Sequence, residues 1–262
     1  MSKFNRYLAA PALCFGMLSV LNMPASAHQP ASGSMEHIKA AVANEARPEK
    51  DQARDEQRQP AAVLSYLGIK PGQRVLDMYS GGGYYTELAS YVVGDTGSVT
   101  AHNNKIYAGM TMEETTARYG DDRLPNVTQL VAGNNELELP ADTYDAVLFM
   151  LAYHDVVYID GFRGWEKVDR PAMLAQMFKA TRSGGIVGVV DHIAAADADP
   201  AEIPKMHRVD PELVKKDFLD AGFVLLGESD LLINPEDNLG MMAMMPDVRG
   251  KTSRFVFKFA KP

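Results

Sequence analysis

Two short runs in the chain pair a histidine with an acid, and each stands at the end of an apolar stretch. Tyr153-His154-Asp155 follows the largely apolar residues 144–151, and Asp191-His192 follows the apolar residues 186–190. Imidazole titrates near neutral pH, so a histidine at such a place is suited to remove a proton from a reacting group. We expect His154 to be a base, with Asp155 to orient it. We also expect Tyr153 to line a pocket for the reacting molecule and His192 to be a second candidate base. Each histidine could instead be a hydrogen-bonded structural residue.

A glycine-rich run after Asp77 indicates a binding pocket. Val75-Leu76 leads into Asp77, and Gly81-Gly82-Gly83 stands just before a helical pattern that begins at Tyr84. A strand, a tight glycine turn and a helix N-terminus together aim free backbone N–H groups at a ligand that can come close. The run therefore predicts a cofactor pocket at the carboxyl end of the first strand of an α/β sheet. A glycine-rich turn with no ligand is the alternative.

The elements that must position these residues alternate along the chain. The patterns predict strands at 74–78, 97–102, 127–131, 144–151, 186–191, 223–228 and 254–258. They predict helices at 61–67, 84–92, 110–118, 171–181 and 211–221, with two short helices before residue 61. Such alternation is typical of a parallel sheet covered by helices on both faces. We expect a polar leader and N-terminal helices over 28–60 and one α/β domain over 61–262.

Three motifs resemble those of class I S-adenosylmethionine-dependent methyltransferases. Residues 77–83 follow that family's D-x-G-x-G-x-G motif, with Tyr79 where the first glycine is expected. Residues 182–187 are similar to its late turn into strand five, and residues 139–147 resemble its entry into strand four. The resemblance covers 61–262. It implies a Rossmann-like fold with a seven-stranded, mostly parallel sheet, S-adenosylmethionine as the cofactor, and transfer of a methyl group to a small molecule.

The same resemblance implies which residues bind the cofactor. In the glycine loop they are Asp77, Tyr79, Gly81 and Gly83. Asn103 stands where the family has an acid that accepts hydrogen bonds from the ribose, and an amide there forgoes a charge-assisted component of ~1–2 kcal/mol. Asn134 stands where the adenine amino group is usually contacted. Both asparagines could instead be ordinary loop residues.

The N-terminus has the pattern of a secretory signal peptide. Lys3 and Arg6 precede the apolar residues 7–21, and Pro24-Ala25-Ser26-Ala27 offers a cleavage site after Ala27. The apolar run is too short for a good membrane span, although a buried N-terminal helix is an alternative. We expect a periplasmic or secreted protein without a stable membrane anchor after cleavage. Residues 47–51, 82–87 and 250–255 also resemble a group of exported methyltransferase-like proteins.

Composition excludes several classes of partner and site. The formal net charge is −8, and removal of Lys3 and Arg6 with the signal peptide would bring it to −10. Such an acidic chain is not suited to non-specific binding of nucleic acid or anionic lipid. The only cysteine, Cys14, lies within the predicted signal peptide, so the mature chain would have no disulfide, no thiolate nucleophile and no zinc–sulfur site. We expect a small-molecule substrate. No pattern predicts an oligomeric state.

Export leaves two alternative functions open, because S-adenosylmethionine is made in the cytoplasm. One is a non-catalytic protein that binds a nucleoside-like small ligand on a methyltransferase scaffold. The other is a metal-dependent enzyme that uses the pairs His154-Asp155 and Asp191-His192. No fixed ligand spacing supports that enzyme, so the sequence assigns no metal ligand.

Two further segments have more than one interpretation. Met241-Met242-Ala243-Met244-Met245 could bind copper(I), or it could be a flexible apolar loop that fills a gap. Residues 194–206 form a candidate lid, which could bring His207 and Arg208 over the active site.

Overall fold

The computed structural model describes residues 32–157 and 164–262. The predicted signal peptide, 1–27, and the first part of the predicted polar leader lie outside these residues. Within the described ranges, no helix combines the length and the apolar character that crossing a membrane requires.

Seven strands form one sheet, as predicted. They are, in chain order, β1 (Arg74–Met78), β2 (Ser98–Asn103), β3 (Val127–Val131), β4 (Tyr144–Met150), β5 (Thr181–His192), β6 (Val224–Ser229) and β7 (Arg254–Ala260). Their spatial order is β3-β2-β1-β4-β5-β7-β6. Strand β7 runs in the direction opposite to that of the other six strands. The sheet is therefore mostly parallel, and the predicted Rossmann-like methyltransferase fold is confirmed.

The described helices cover both faces of this sheet. They are α1 (Ser32–Val42), α2 (Glu49–Gln52), α3 (Asp55–Arg58), α4 (Pro60–Leu67), α5 (Tyr84–Val93), α6 (Lys105–Met110), α7 (Met112–Tyr119), α8 (Tyr153–Val157), α9 (Arg170–Ala180) and α10 (Pro211–Asp220). The helix predicted at 110–118 corresponds to α7, which begins two residues later at Met112, whereas α6 before it was not predicted. The additional helix α6 forms because the side chain of Asn104 accepts a hydrogen bond from the Tyr107 N–H (2.7 Å) and caps its first turn.

The central strand β4 separates two apolar layers. All seven of its residues are buried, as expected of a parallel strand with helices on both faces. On one face Phe149 packs in a cluster with Phe218 of α10 and the aromatic residues of β7. On the other face Leu148 shares a cluster with Leu88 of α5 and Ile38 of α1. The N-terminal helix α1 is therefore part of the core around the sheet.

The strand order places a crevice at the carboxyl ends of β1 and β4. These two strands are hydrogen-bonded neighbours, with Met78 opposite Phe149, but β2 lies on the outer side of β1 and β5 on the outer side of β4. Chain connections leave in opposite directions at this point, and ligands of open α/β sheets bind where that happens. The glycine turn, residues 150–155 and Asp191 all lie at this edge.

Candidate functional site

The glycine turn contains a tyrosine in a backbone conformation that favours glycine. Tyr79 has φ +51°, in the left-handed region, which costs an ordinary residue ~1–2 kcal/mol. Its ring is buried and stacks on Phe149, with ring centroids 5.6 Å apart. The edges of His102 and Tyr107 pack against it, and its hydroxyl donates to Asn134 Oδ1 (3.1 Å). These contacts hold Tyr79 in place of the glycine that the motif expects.

The glycines of the turn have different roles. A Cβ on Gly82 would lie 1.9 Å from Glu114 Oε2, and a Cβ on Gly83 would lie 2.1 Å from the hydroxyl oxygen of Tyr119. These two glycines therefore allow α7 to pack directly on the turn. A Cβ on Gly81 would meet no atom within 4 Å. Gly81 is the glycine that faces open space. At Gly83 both this packing and a φ of +84° require a glycine, and its role in binding the cofactor stays a prediction.

Asp77 joins the end of β1 to α5 beneath the turn. Its carboxyl group is buried, and Oδ2 accepts a hydrogen bond from the Thr86 hydroxyl (2.6 Å). Burial raises the pKa of Asp77 to about 7, although hydrogen bonds from the side chain and backbone of Thr86 oppose that rise. The carboxyl group is thus easily protonated and has no cationic partner among the described residues.

A cavity of about 340 Å³ opens between the turn and the end of β4. That volume lies within the range of small-molecule pockets. The residues around it come from α3 and the residue before it, the end of β1, the glycine turn, α5, α6–α7, the end of β4 and the loop before β7. They are Arg54, Arg58, Asp77, Tyr79, Ser80, Gly81, Gly82, Tyr84, Tyr85, Tyr107, Met110, Thr111, Glu114, Met150, Leu151, Ala152, Met244 and Arg249.

Arg58 brings a positive charge to this cavity. Its guanidinium carbon lies 4.4 Å from the ring centroid of Tyr84 and 5.9 Å from that of Tyr85. Burial lowers its pKa, and no carboxylate of the described residues forms an ion pair with it. The neighbouring Arg54, by contrast, pairs with Asp51. A half-buried guanidinium that forms no ion pair within the described residues is suited to hold an anionic group of a ligand.

The two asparagines predicted to bind the cofactor are occupied within the protein. Asn103 Oδ1 accepts from the Gly81 N–H (2.8 Å), and its Nδ2 donates to the Gly81 carbonyl (2.9 Å). Asn134 Oδ1 accepts from Asn104 Nδ2 (2.7 Å) as well as from Tyr79. Neither side chain lines the cavity at the turn. Their contacts with the ribose and the adenine stay predictions. Such contacts require the two side chains to give up these internal hydrogen bonds for hydrogen bonds to the cofactor.

His154 is held in one orientation by Asp191. The ring Nδ1 lies 2.8 Å from Asp191 Oδ1, and the His154 backbone N–H donates to Asp191 Oδ2 (2.8 Å). The contact assigns the Nδ1 proton to this hydrogen bond and leaves Nε2 for chemistry. Nε2 is buried and makes no hydrogen bond with the described residues, although Asp155 Oδ2 is only 3.4 Å away. Asp191, rather than the predicted Asp155, is thus the residue that orients His154.

The charges around His154 oppose the predicted role of a base. Burial by itself lowers the pKa of this ring, but the carboxylates of Asp191 and Asp155 outweigh it and raise the pKa to about 9. The same pairing lowers the pKa of Asp191 against the effect of its own burial. In the protein without ligands, His154 therefore carries a proton at neutral pH and has no lone pair to accept another.

His207 completes a cluster with His154 and Asp155. Its ring centroid lies 5.3 Å from that of His154, and its Nδ1 lies 3.7 Å from Asp155 Oδ1. The suggestion that His207 comes over the site agrees with this position. Arg208 does not join it, because its fully buried guanidinium pairs with Asp237 (2.9 Å) and donates to the Met241 carbonyl (2.8 Å). Arg208 thus anchors the methionine-rich loop.

Tyr153 and His192 have their own partners outside this cluster. Tyr153 is fully buried, and its hydroxyl donates to Asp217 Oδ2 (2.7 Å), so the expectation that it lines a substrate pocket is corrected to a packing role. His192 Nδ1 lies 2.7 Å from Thr252 Oγ1. Burial lowers the pKa of His192 to about 3, so its ring is neutral. Its role as a second base stays a prediction.

Two residues of the site were missed by the sequence reasoning. Tyr107 of α6 lines the cavity and donates its hydroxyl proton to Asp155 Oδ2, so it connects the cavity with the histidine cluster. Arg58 belongs to a charged segment, and no local sequence pattern indicates that this segment contacts the cavity. The only local signal near Tyr107 is Asn104, three residues before it, which is a common helix cap.

Comparison with known proteins gives consistent matches. The model of the protein-L-isoaspartate(D-aspartate) O-methyltransferase family matches residues 49–156. A ubiquinone/menaquinone biosynthesis C-methyltransferase of Ectopseudomonas mendocina is 27% identical over an alignment of 186 residues, which covers 62% of this chain and 69% of that protein. A protein of the same name from Vibrio campbellii is 28% identical over an alignment of 132 residues, which covers 49% of this chain and 45% of that protein.

The fold is also similar to that of solved structures. A SAM dependent methyltransferase from Aquifex aeolicus superposes with a TM-score of 0.57 at 19% identity, covering 87% of this chain and 98% of that chain. At this identity the likeness concerns the fold. The matched family residues, 49–156, include Arg58, the glycine turn and His154.

Proposed function

We propose that this chain, which belongs to the class I S-adenosylmethionine-dependent methyltransferases, binds its cofactor in the cavity at the glycine turn. We further propose that it methylates a small molecule. The observation that carries the proposal is the position of Arg58, which forms no ion pair in the part of the chain that the structure describes and lies at a cavity that the family's own motif lines. S-adenosylmethionine carries a carboxylate, an ammonium, a cationic sulfonium, a ribose and an aromatic adenine. The cavity offers a cation to the carboxylate and several aromatic rings to the sulfonium and the adenine.

Different residues of the chain would contact different parts of the cofactor. Arg58 would hold the carboxylate, and Gly81 would let the ligand approach the backbone of the turn. When bound, the cofactor supplies an electrophilic methyl group. What remains for the protein is to hold the acceptor in line and to exclude water.

The acceptor would lie between the cavity and the cluster of His154, Asp155 and His207. Ala152 and Tyr107 line the cavity, and Tyr107 contacts Asp155 directly. The cavity's volume suits a small molecule rather than a polymer segment. If the methyl acceptor carries a hydrogen-bond donor, the carboxylate of Asp155 lies on this side and can accept that hydrogen bond.

A second candidate function is binding without turnover. Tyr79 replaces the first motif glycine, and the amide of Asn103 is already bonded to Gly81. Both features depart from the motif with which the family binds S-adenosylmethionine. They favour a protein that uses the same cavity for a nucleoside-like ligand and carries out no methyl transfer.

We also propose that the protein is exported, to the periplasm or outside the cell. The proposal rests on the signal-peptide pattern of residues 1–27 and on the resemblance to exported methyltransferase-like proteins. Fractionation of cells that express the full chain, with N-terminal sequencing of the product, tests it. A product that begins after Ala27 is expected, and an uncut cytoplasmic product would contradict export.

Calorimetric titration with S-adenosylmethionine and S-adenosylhomocysteine tests the cofactor site. Arg58→Met should weaken binding by about 10- to 100-fold, the equivalent of a hydrogen bond to a charged group. The matched control is Arg182→Met, because Arg182 is an exposed arginine at the amino end of β5 and should leave binding unchanged. No binding by the wild-type protein with cofactor in large excess would end the methyltransferase proposal. Binding without formation of S-adenosylhomocysteine, on addition of small-molecule extracts, would favour the second candidate.

A further inference from the structure

We infer that the side chains of His154, Asp155 and His207 bind one divalent transition-metal ion. Each offers one ligand atom, and these atoms all lie within 4.8 Å of one another. Two imidazole nitrogens and one carboxylate oxygen are a common ligand set for Zn²⁺ and for other first-row divalent ions, with water in the remaining position.

The distances between the ligand atoms fit such an ion. Metal–ligand bonds of about 2.0–2.1 Å in a tetrahedron place neighbouring ligand atoms about 3.4 Å apart. Asp155 lies 3.4 Å from His154 Nε2 through one carboxylate oxygen and 3.7 Å from His207 Nδ1 through the other. Small rotations of the side chains would complete the coordination.

One ligand atom already faces the cluster, and it would bind a metal ion in exchange for the proton that His154 carries in the protein without ligands. His154 Nε2 is buried, lies on the side of Asp155 and makes no hydrogen bond with the described residues. The opposite nitrogen is fixed by Asp191 at 2.8 Å, which is the carboxylate–histidine arrangement that orients metal-binding imidazoles. Tyr107 supports Asp155 in the same way by donating its hydroxyl proton to Oδ2. The cluster therefore has supporting contacts for two of its three ligands.

The charge of the site also favours a cation. Asp155 and Asp191 have no lysine or arginine partner within the described ranges; the basic side chains near them are histidines. Two largely buried carboxylates without a permanent cation are unfavourable unless a positive charge compensates them. His207 is partly exposed (32% of its side chain), which gives the ion a path from solvent.

The ligand set differs from the one that the sequence suggested. Asp191 uses its carboxylate to orient His154, and His192 is bonded to Thr252. His207 takes their place, although it is 52 residues beyond Asp155 in the chain. The spacing explains why no sequence motif indicated the site.

Titration of the metal-free full chain with Co²⁺, followed by visible ligand-field absorption, tests the site. One equivalent of Co²⁺ should give bands of a four- or five-coordinate site, and Zn²⁺ should displace it. His207→Asn should reduce the affinity by more than about 100-fold, and Asp191→Asn, which removes a supporting contact, by about 10- to 100-fold. Asparagine suits position 207 because the backbone there has φ +48°, which asparagine tolerates. His37→Asn is the matched control, since His37 is exposed on α1 and should not affect binding.

Two results would overturn the inference. One is a folded wild-type protein that takes up no Co²⁺ or Zn²⁺; the other is a His207→Asn variant that binds as tightly as the wild type. Asp155→Asn gives a second ligand deletion if His207→Asn does not fold. Because metal uptake is measured without methyl transfer, these results are independent of the proposed function.

Discussion

Asn103 at the end of β2 and Gly81 in the glycine turn exchange two hydrogen bonds, one in each direction, at 2.8 and 2.9 Å. The amide at this position matches the backbone N–H and C=O of Gly81, which a carboxylate could not do. The residue that departs from the family's acid thus fixes the turn on which the cavity depends.

Replacement of this amide by an acid should loosen the turn. In Asn103→Asp the carboxylate can still accept from the Gly81 N–H, but it faces the Gly81 carbonyl without a donor. We expect the free energy of unfolding to fall by ~1–2 kcal/mol, as measured by urea denaturation. Asn103→Ala should cost a similar amount. A variant Asn103→Asp as stable as the wild type would mean that the pair does not stabilise the turn.

Restoring the expected glycine at Tyr79 should destabilise the protein. Tyr79→Gly relieves backbone strain of ~1–2 kcal/mol. It also removes a buried ring from its contacts with Phe149 and Tyr107, and deletions of large core side chains typically cost ~3–5 kcal/mol. A net loss of about 1–4 kcal/mol is therefore expected from denaturant unfolding. A gain in stability would show that strain outweighs packing at this position.

The buried charges beneath α7 should be costly to break. Arg118 pairs with Asp51 (2.7 Å) and with Glu87, and it donates to the Gly82 carbonyl (2.6 Å). Arg118→Met leaves both carboxylates buried without this partner, and we expect a loss of ~3–5 kcal/mol in thermal or denaturant unfolding. Arg182→Met, at an exposed pair, should cost less than ~1 kcal/mol. Equal effects of the two substitutions would contradict the buried network.

Acid should destabilise the fold through His102. This ring is buried against Tyr79, neither of its nitrogens has a hydrogen-bond partner among the described residues, and burial lowers its pKa to about 4. The unfolded chain, with an ordinary histidine pKa near 6.5, binds a proton that the folded chain does not take up until the pH is lower. Stability from this group is therefore complete above pH ~6.5 and is lost as the pH falls toward 4, by up to ~3 kcal/mol. In His102→Phe the free energy of unfolding should depend less on pH between 7 and 4. An unchanged dependence would exclude His102 as its source.

Most of the fold could be predicted from the sequence because its elements have strong local signals. Residues 74–78 and 127–131 form strands with the predicted bounds, and Gly68, with φ +82°, ends α4 as expected. The helices α6 and α8 were missed because they are short and their stability comes from a side-chain cap and from packing. Five or six residues have little helical periodicity of their own.

The candidate site was only partly predictable, because its contacts join distant parts of the chain. The glycine turn and His154 stand at strand ends and could be found by position. Arg58 and Tyr107 reach the same region from two other segments, and nothing in their own neighbourhoods indicates a ligand. His207 was indicated only by the candidate lid that precedes it. The orientation of His154 by Asp191 likewise depends on the pairing of β4 with β5.

The central claim is that the cofactor occupies the cavity between Gly81 and Arg58. A crystal structure of the protein with S-adenosylhomocysteine tests it most directly. We predict electron density for the ligand in this cavity, with its carboxylate on the Arg58 guanidinium and its thioether directed toward Ala152 and Tyr107. Density at another place, or an empty cavity in crystals grown with saturating ligand, would contradict the account.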